Sequence, residues 1–221
     1  MVDFTENPAP PRFDEQRFGE RIRTLRTARG LSLRELAGRL EISASALSQI
    51  ERGKMRPSVT RLYQIMGELN VPMAAVFGPE TSEPAAPDAF TTPMGEAPGP
   101  RWEPESDTGL GGVAVTRREE AATLELGHGV RYRRLTPGAV PGMNYFESVY
   151  PPGSYSSQNA EYVRHRGHEI GNVVSGVLTV DVGFDTYELH PGDSITYPST
   201  TPHRISNQGK SDAVAIWLNL D

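Results

Sequence analysis

The feature that most constrains the fold of this chain is a change in the spacing of its apolar residues. Over residues 13–77 they recur every three or four positions, which is the spacing of amphipathic α-helices. From about residue 110 they form short alternating runs separated by Gly and Pro, which indicate the strands of a sandwich or barrel. The chain is therefore predicted to hold an all-α domain followed by an all-β domain.

Helix and domain boundaries follow from the capping residues and the prolines. Ser32, Ser43 and Ser58 each precede an apolar run and are suited to cap a helix. Five short helices are predicted, near 14–29, 33–40, 44–51, 59–69 and 73–76. Residues 79–104 contain seven prolines and few apolar side chains, so a semi-extended linker is expected there. The predicted domains are a disordered tail over 1–11, a helical domain over 12–78, this linker, and a β domain over 105–221.

Charge is distributed unevenly between the two predicted domains. The net charge is −6, yet residues 12–78 hold 12 Lys and Arg against 7 Asp and Glu. Residues 79–221 hold 10 Lys and Arg against 19 Asp and Glu. Attraction to phosphate follows the local patch of charge, so a basic head on an acidic body can still bind nucleic acid. The two domains are thus expected to have different partners.

Composition also excludes several classes of protein. The chain has no cysteine, which rules out disulfides and thiolate metal sites. It shows neither an apolar signal core near its N-terminus nor a run of 18 apolar residues, so no membrane partner is expected. A cytoplasmic location is the corresponding expectation.

Residues 31–57 (LSLRELAGRLEISASALSQIERGKMRP) have the pattern of two helices joined by a tight turn. Ala37 supplies a small side chain where the helices would cross. The buried face would be formed by Leu36, Leu40, Leu47 and Ile50. Short polar residues at the start of the next helix would let it enter the major groove of DNA, and Gln49 is long enough to reach a base edge.

This segment resembles the Cro/phage-repressor-type (XRE-like) helix-turn-helix domains over about residues 14–77. The most specific part of the resemblance is Ser48-Gln-Ile-Glu-Arg-Gly-Lys54 followed by Pro57. It implies double-stranded DNA as a partner and a mainly structural role for Glu51. The implied DNA-contacting residues are Ser43, Ala44, Ser45, Ser48, Gln49, Arg52 and Lys54. Two other interpretations stay open, namely a generic helical bundle and a helix-turn-helix kept only as scaffold.

One position departs from the helix-turn-helix pattern. Glu41 stands in the turn where the family usually has glycine. A left-handed backbone is expected there, and it costs a residue with a side chain roughly 1 kcal/mol relative to glycine.

The histidines of the β domain indicate a metal or ligand site. Residues of equal parity in a strand face the same side, so His165 and Glu169 share a face while His168 points away. If strands form around 195–205, His203 converges with them. Two imidazoles and one carboxylate suit Fe²⁺ and can also hold Mn, Ni or Zn. In the alternative, metal-free interpretation, His165 and His203 hydrogen-bond an anionic ligand.

The pattern over residues 110–221 resembles the cupin superfamily. Glu169-x6-Gly176, Gly192-x5-Pro198 and His203-x3-Asn207 match its two motifs, and His165 fills its second histidine. Val163 replaces the first histidine and Thr200 replaces a glycine, which leaves at most three protein ligands. The resemblance implies a double-stranded β-helix (jelly-roll) barrel. The candidate pocket residues are Tyr145, Val163 and Tyr197.

Together the two resemblances imply a ligand-responsive transcription regulator. Its barrel would sense a small-molecule effector of unknown identity, and its heads would bind operator DNA as a homodimer with half-sites about 34 Å apart. The alternative is an enzyme, since helix-turn-helix cupins that resemble hydroxypropylphosphonate epoxidase are mononuclear non-heme iron oxidases. Here His165, Glu169 and His203 would hold the iron, and Tyr145 or Tyr197 would orient the substrate.

Overall fold

The computed structural model describes residues 14–71, 73–77, 114–138, 140, 142–157 and 159–220. The predicted tail over 1–11, the predicted linker over 79–104 and the predicted start of the β domain at residue 105 lie outside these residues. Within the described ranges, no helix is long and apolar enough to cross a membrane.

Four α-helices form the part of the N-terminal domain that the structure describes. They are α1 (Glu15–Ala28), α2 (Leu33–Arg39), α3 (Ala44–Glu51) and α4 (Val59–Glu68). Each begins after a capping side chain that accepts a hydrogen bond from the backbone N–H three residues later. The caps are Asp14, Ser32, Ser43 and Ser58. Ser32 also forms a reciprocal capping box with Glu35. The serine caps therefore set the helix starts as predicted.

The fifth predicted helix, over 73–76, is wrong as an α-helix. Met73–Phe77 is a 3-10 helix of five residues, so the described part of the N-terminal domain contains four α-helices rather than five. Asn70 adopts a φ of +48° just after α4. Side chains three residues apart in a 3-10 helix share one side, and Met73 and Val76 are buried in this way. The apolar spacing therefore does place Met73 and Val76 on one buried side, but the segment is too short to form α-helical hydrogen bonds.

The described residues of the C-terminal domain form nine antiparallel strands. They are β1 (Thr123–Glu125), β2 (Arg131–Arg134), β3 (Met143–Tyr150), β4 (His168–Ser175), β5 (Leu178–Val182), β6 (Asp185–Leu189), β7 (Ser194–Pro198), β8 (His203–Ser206) and β9 (Ala213–Leu220). A six-stranded sheet has the order β1-β2-β3-β9-β4-β7, and a three-stranded sheet has the order β6-β5-β8. This is the predicted all-β cupin-like architecture.

The barrel core is arranged around Trp217 on β9. Its ring covers Gly171 on β4, where a Cβ atom would lie only 2.6 Å from the ring. The indole Nε1–H donates to Ser148 Oγ on β3 at 3.1 Å, which satisfies the buried polar atom. Buried residues alternate along β3 and β9, as expected for a sheet with one face on the core. Glu169 lies two residues before Gly171 and is thereby held on the inner face.

The two domains meet at the start of α4. The amide of Gly127 donates to the carbonyl of Pro57 at 2.8 Å, and the amide of Thr60 donates to the carbonyl of Ser156 at 3.0 Å. Arg56 forms ion pairs with Glu15 of the helical domain and with Glu125 of β1. The first turn of α4 is therefore seated on the barrel.

Candidate functional site

Three side chains meet inside the barrel, and we refer to them as the triad: His165, Glu169 and His203. Their ligand atoms all lie within 4.8 Å of one another. The Nε2 atoms of His165 and His203 lie 2.8 Å and 3.2 Å from the same Oε1 atom of Glu169. Two imidazoles and one carboxylate facing a common point form a donor set for a divalent transition metal.

Backbone hydrogen bonds set the position of each triad residue. Glu169 lies on β4 and His203 begins β8. Val163 and His203 exchange two backbone hydrogen bonds of 2.8 Å, and the amide of His165 donates to Ser199 at 3.0 Å. The segment before β4 is thus paired with the turn before β8, which brings the two histidines together across the barrel.

The outer nitrogen of each triad histidine has a backbone partner. Nδ1 of His165 lies 2.9 Å from the carbonyl oxygen of Arg166, and Nδ1 of His203 lies 2.9 Å from that of Thr201. A carbonyl only accepts, so each Nδ1 carries a hydrogen and each Nε2 faces Glu169, to which it donates when the ring is protonated; when Nε2 has lost that proton, it is able to bind a cation instead. Such partners orient metal-binding histidines in proteins. The residues present therefore fit a divalent metal.

Glu169 is a buried carboxylate with three hydrogen-bonding neighbours. It is 4% exposed. Burial favours the neutral acid, but hydrogen bonds from His165 and His203 and their positive charge outweigh it and lower the pKa of Glu169 to about 2. Tyr197 donates to the other carboxylate oxygen at 2.8 Å. Burial, followed by the nearby charge of Glu169, raises the pKa of this phenol, so Tyr197 is a neutral donor. The carboxylate is thus ionised at neutral pH and suited to hold a cation.

A small cavity, partly open to solvent, adjoins the triad. Its wall includes the aromatic rings of Tyr132, Phe146 and Trp217 from the barrel. It also includes Val59, Thr60 and Tyr63 from α4. A small ligand bound next to the triad would therefore contact both domains.

The candidate pocket residues lie in different places. Val163 lines the triad cavity, and Tyr197 contacts Glu169 from β7. Tyr145 lies on β3 and lines a second cavity, together with Met73 and Phe77 of the helical domain. The triad cavity does not include Tyr145 among its lining residues.

Tyr63 and Asn219 are among the cavity residues that were not predicted from the sequence. The ring of Tyr63 stacks on His165 with a centroid distance of 4.7 Å and planes 10° apart. Asn219 on β9 donates from Nδ2 to the hydroxyl of Tyr63. Tyr63 belongs to the other domain, so no motif around the histidines could reveal it. The parity of β9 alone could have placed Asn219 on the inner face with Trp217.

The predicted DNA-contacting residues gather on α3 and the turn after it. Ser43, Ser45, Arg52 and Lys54 are exposed, whereas Ala44, Ser48 and Gln49 are half-buried. The hydroxyl of Ser43 caps α3 by accepting from the amide of Ala46 at 3.0 Å. Arg52 donates from Nε to the carbonyl of Ser48 at 3.1 Å.

A buried ion pair holds α3 against α1. Arg26 donates from Nε and Nη2 to the two carboxylate oxygens of Glu51, at 2.6 Å and 3.0 Å. Both side chains are buried, and Arg26 also donates to the carbonyl of Leu31 at 2.6 Å. A bidentate pair fixes orientation as well as distance. Glu51 is therefore structural, as the resemblance implied.

Comparisons with known proteins match both domains. The helix-turn-helix family HTH_3 matches residues 22–76, and the cupin domain family Cupin_2 matches residues 146–219. The HTH-type transcriptional regulator PuuR of Escherichia coli (strain K12) is 26% identical over 192 residues, which cover 86% of each chain.

One solved structure shows the same fold. An HTH_3 family transcriptional regulator from Vibrio cholerae has a TM-score of 0.60 at 21% identity, covering 94% of this chain and 96% of its own. Hydroxypropylphosphonic acid epoxidase from S. wedmorenis has a TM-score of only 0.40 at 18% identity, covering 93% of this chain and 98% of its own. This chain therefore combines an HTH_3 helix-turn-helix domain with a Cupin_2 domain, and over most of its length it is similar to an HTH-type transcriptional regulator.

Proposed function

We propose that this protein is a DNA-binding transcription regulator whose cupin barrel senses a small molecule and modulates operator binding. The observation that carries the proposal is the recognition helix α3, which presents polar side chains outward and is fixed from behind by the buried Arg26–Glu51 pair. Short exposed polar side chains at the start of a rigidly held helix are what entry into the major groove requires. The sequence relationship to PuuR, a transcriptional regulator, supports the same function.

Different side chains on and next to α3 are expected to contact the bases and the phosphates of DNA. Ser43 and Ser45 are short and exposed at the start of the helix, which permits close approach to the major groove. Gln49 can reach a base edge, and Arg52 and Lys54 would contact phosphate. Few of these groups can form bidentate contacts with bases. Affinity would therefore depend on phosphate contacts and on the binding of two heads at once.

A second copy of the chain is the proposed partner for the outer face of the six-stranded sheet. Ile170 and Val174 on β4 and Leu220 on β9 are 41%, 50% and 40% exposed. Ile170 lies opposite Leu218, and Asn172 lies opposite Ile216, so the apolar side chains of β9 continue the same face. An apolar patch is complementary to its own twofold-related copy. Such a pairing would give the twofold dimer that a symmetric operator requires.

The triad is proposed to hold one divalent metal ion, either Fe, Mn, Ni or Zn, through the Nε2 atoms of His165 and His203 and a carboxylate oxygen of Glu169. A bound metal would supply open coordination positions to a small oxygen- or nitrogen-containing effector. The neutral phenol of Tyr197 would donate to the second oxygen of Glu169, and the aromatic wall would pack against the bound molecule.

Selection of DNA by the purified protein tests the proposal. The full chain, supplied with divalent metal, is offered a pool of random duplexes at near-physiological salt. We expect enrichment of a twofold-symmetric site. Gln49→Ala should weaken binding to that site about 10- to 100-fold, because one good base contact contributes about 1–3 kcal/mol. Gln64→Ala, an exposed substitution on α4, is the matched control and should bind normally.

Failure of the folded protein to enrich any sequence would overturn the regulator. The alternative function, iron-dependent oxidation, is favoured only by the donor set of the triad, which leaves room for oxygen and a chelating substrate. Oxygen-dependent turnover that disappears in Glu169→Ala, without selective DNA binding, would establish that alternative.

A further inference from the structure

Helix α4 contributes to both domains. Its buried residues Leu62, Ile65 and Met66 belong to a hydrophobic cluster that also contains residues of α1, α2 and α3. Val59, Thr60 and Tyr63 line the cavity of the barrel. A change in how α4 sits on the barrel must therefore move the DNA-binding domain with it, because the helix cannot leave its own core.

The barrel supplies hydrogen bonds that the first turn of α4 cannot make for itself. The first amides of any α-helix have no partner within the helix. Ser58 accepts from the amide of Arg61 at 3.2 Å, and the amide and hydroxyl of Thr60 donate to the carbonyl of Ser156 at 3.0 Å and 3.1 Å. Thr60 is buried by this contact. Exchange of the Thr60 amide with solvent thus reports directly whether α4 is docked.

Tyr63 lies one turn further along α4, against the triad. Its ring stacks almost parallel on the ring of His165. The hydroxyl of Tyr63 accepts from Asn219, which is buried on β9. His165 is also held at Nδ1 by the carbonyl of Arg166. A ring restrained both at one edge and on one face keeps its Nε2 directed at Glu169.

We propose that Tyr63 is a positioning residue for His165, and that it thereby links occupancy of the triad to docking of the DNA-binding domain on the barrel. The binding site is shared between the domains. Linkage is reciprocal, so a docked α4 tightens metal binding and a bound metal tightens docking by the same factor. One consequence rests on the proposed function: occupancy of the cavity would change how the two DNA-binding domains of a dimer are arranged on DNA.

The experiment compares Tyr63→Leu with Tyr63→Phe in the full chain, using Zn²⁺ alone as the probe. Leucine keeps the helix and removes the aromatic stack, whereas phenylalanine keeps the stack and removes the hydroxyl. Partners that orient a metal-binding histidine change affinity 10- to 100-fold when removed. We therefore expect Tyr63→Leu to bind Zn²⁺ about 10- to 100-fold more weakly by calorimetry. Tyr63→Phe and the exposed control Gln64→Leu should retain most of the affinity.

Amide exchange measured by NMR provides a second test. If Tyr63 had only a structural role, Zn²⁺ would not change the exchange rates. In the unaltered protein, Zn²⁺ should slow exchange of the Thr60 amide and of the Gly127 amide, which donates to Pro57. This effect should disappear in Tyr63→Leu and in His203→Ala. Unchanged exchange of the Val180 amide in β5 shows that each variant keeps its barrel.

Two results would overturn the inference. One is equal Zn²⁺ affinity in all the Tyr63 variants, together with Thr60 exchange that ignores the metal. The other is no Zn²⁺ binding by the unaltered protein at all. Operator binding is measured separately on the same samples, so either result would leave the regulator function standing, and loss of operator binding alone would leave the linkage standing.

Discussion

Glu41 is a strained residue within an otherwise regular helix-turn-helix motif. It occupies the turn between α2 and α3 with a φ of +53°, the left-handed conformation expected from its position. The turn is closed by hydrogen bonds from Glu41 to Gly38 and from Ile42 to Ala37, at 3.2 Å and 3.0 Å. The hydrogen bonds keep the helix-turn-helix intact, while the Cβ atom of Glu41 pays a steric penalty.

Replacing Glu41 with glycine should relieve this strain. The left-handed penalty of roughly 1–2 kcal/mol exceeds the entropy cost of a glycine, so the free energy of unfolding should rise by about 0.5–1 kcal/mol. Urea denaturation of the full chain measures the change. The control is Arg23→Gly on the exposed face of α1, which should lower stability by about 1 kcal/mol. If both substitutions lowered the stability equally, the left-handed backbone at Glu41 would not be strained.

At the scale of elements, the contact between α1 and α3 depends on a glycine. A Cβ atom at Gly19 would lie 2.5 Å from the carbonyl oxygen of Ile50 and 2.7 Å from that of Glu51. These atoms belong to the backbone of α3 and cannot move without moving the helix. The close approach lets Arg26, two turns later on α1, reach Glu51 with two hydrogen bonds.

Gly19→Ala should therefore separate α1 from α3. Overpacking of this kind typically costs about 1–3 kcal/mol, and we expect a loss of stability in that range with weakened operator binding. Gly67→Ala provides a matched control, because Gly67 is also helical but has open space where its Cβ would lie. That substitution should stabilise the protein by up to about 1 kcal/mol. Thermal unfolding of both variants measures the difference, and a stabilising Gly19→Ala would refute the close crossing.

The sequence predicted those elements and site residues whose signals are local or keep a fixed spacing along the chain. Capping serines and apolar spacing located four helices, because these signals act within a few residues. The convergence of His165, Glu169 and His203 could be predicted because the cupin motifs keep their spacing along the chain. The roles of Gly19 and Tyr63 were not predicted, since each depends on a backbone or ring that is distant in sequence. The 3-10 helix at Met73–Phe77 was misassigned because its apolar residues repeat with a similar spacing.

At the scale of the whole molecule, the exposed apolar face of the six-stranded sheet should decide the oligomeric state. Val174→Lys places a charge among Ile170, Leu220 and the apolar residues of β9, where a second copy is proposed to pack. We expect sedimentation equilibrium to show a dimer for the unaltered protein and a monomer for this variant. Operator affinity should fall too, because two linked heads bind more tightly than one.

Val115→Lys is the control for this prediction. Val115 is an exposed apolar residue that lies before β1 and outside the sheets, so its substitution should leave the dimer intact. A Val174→Lys protein that remains dimeric would place the interface elsewhere on the chain.

The seating of α4 on the barrel has a consequence for protein engineering. Sensor and reader domains are often treated as exchangeable parts, but here the boundary between them runs through one helix. A chimera that joins this head to a foreign barrel would lose the carbonyl of Ser156 that receives the Thr60 amide. A chimera that joins this barrel to a foreign head would lose the ring over His165. Domain exchange would have to transfer the first two turns of α4 with the barrel, or rebuild both contacts by design.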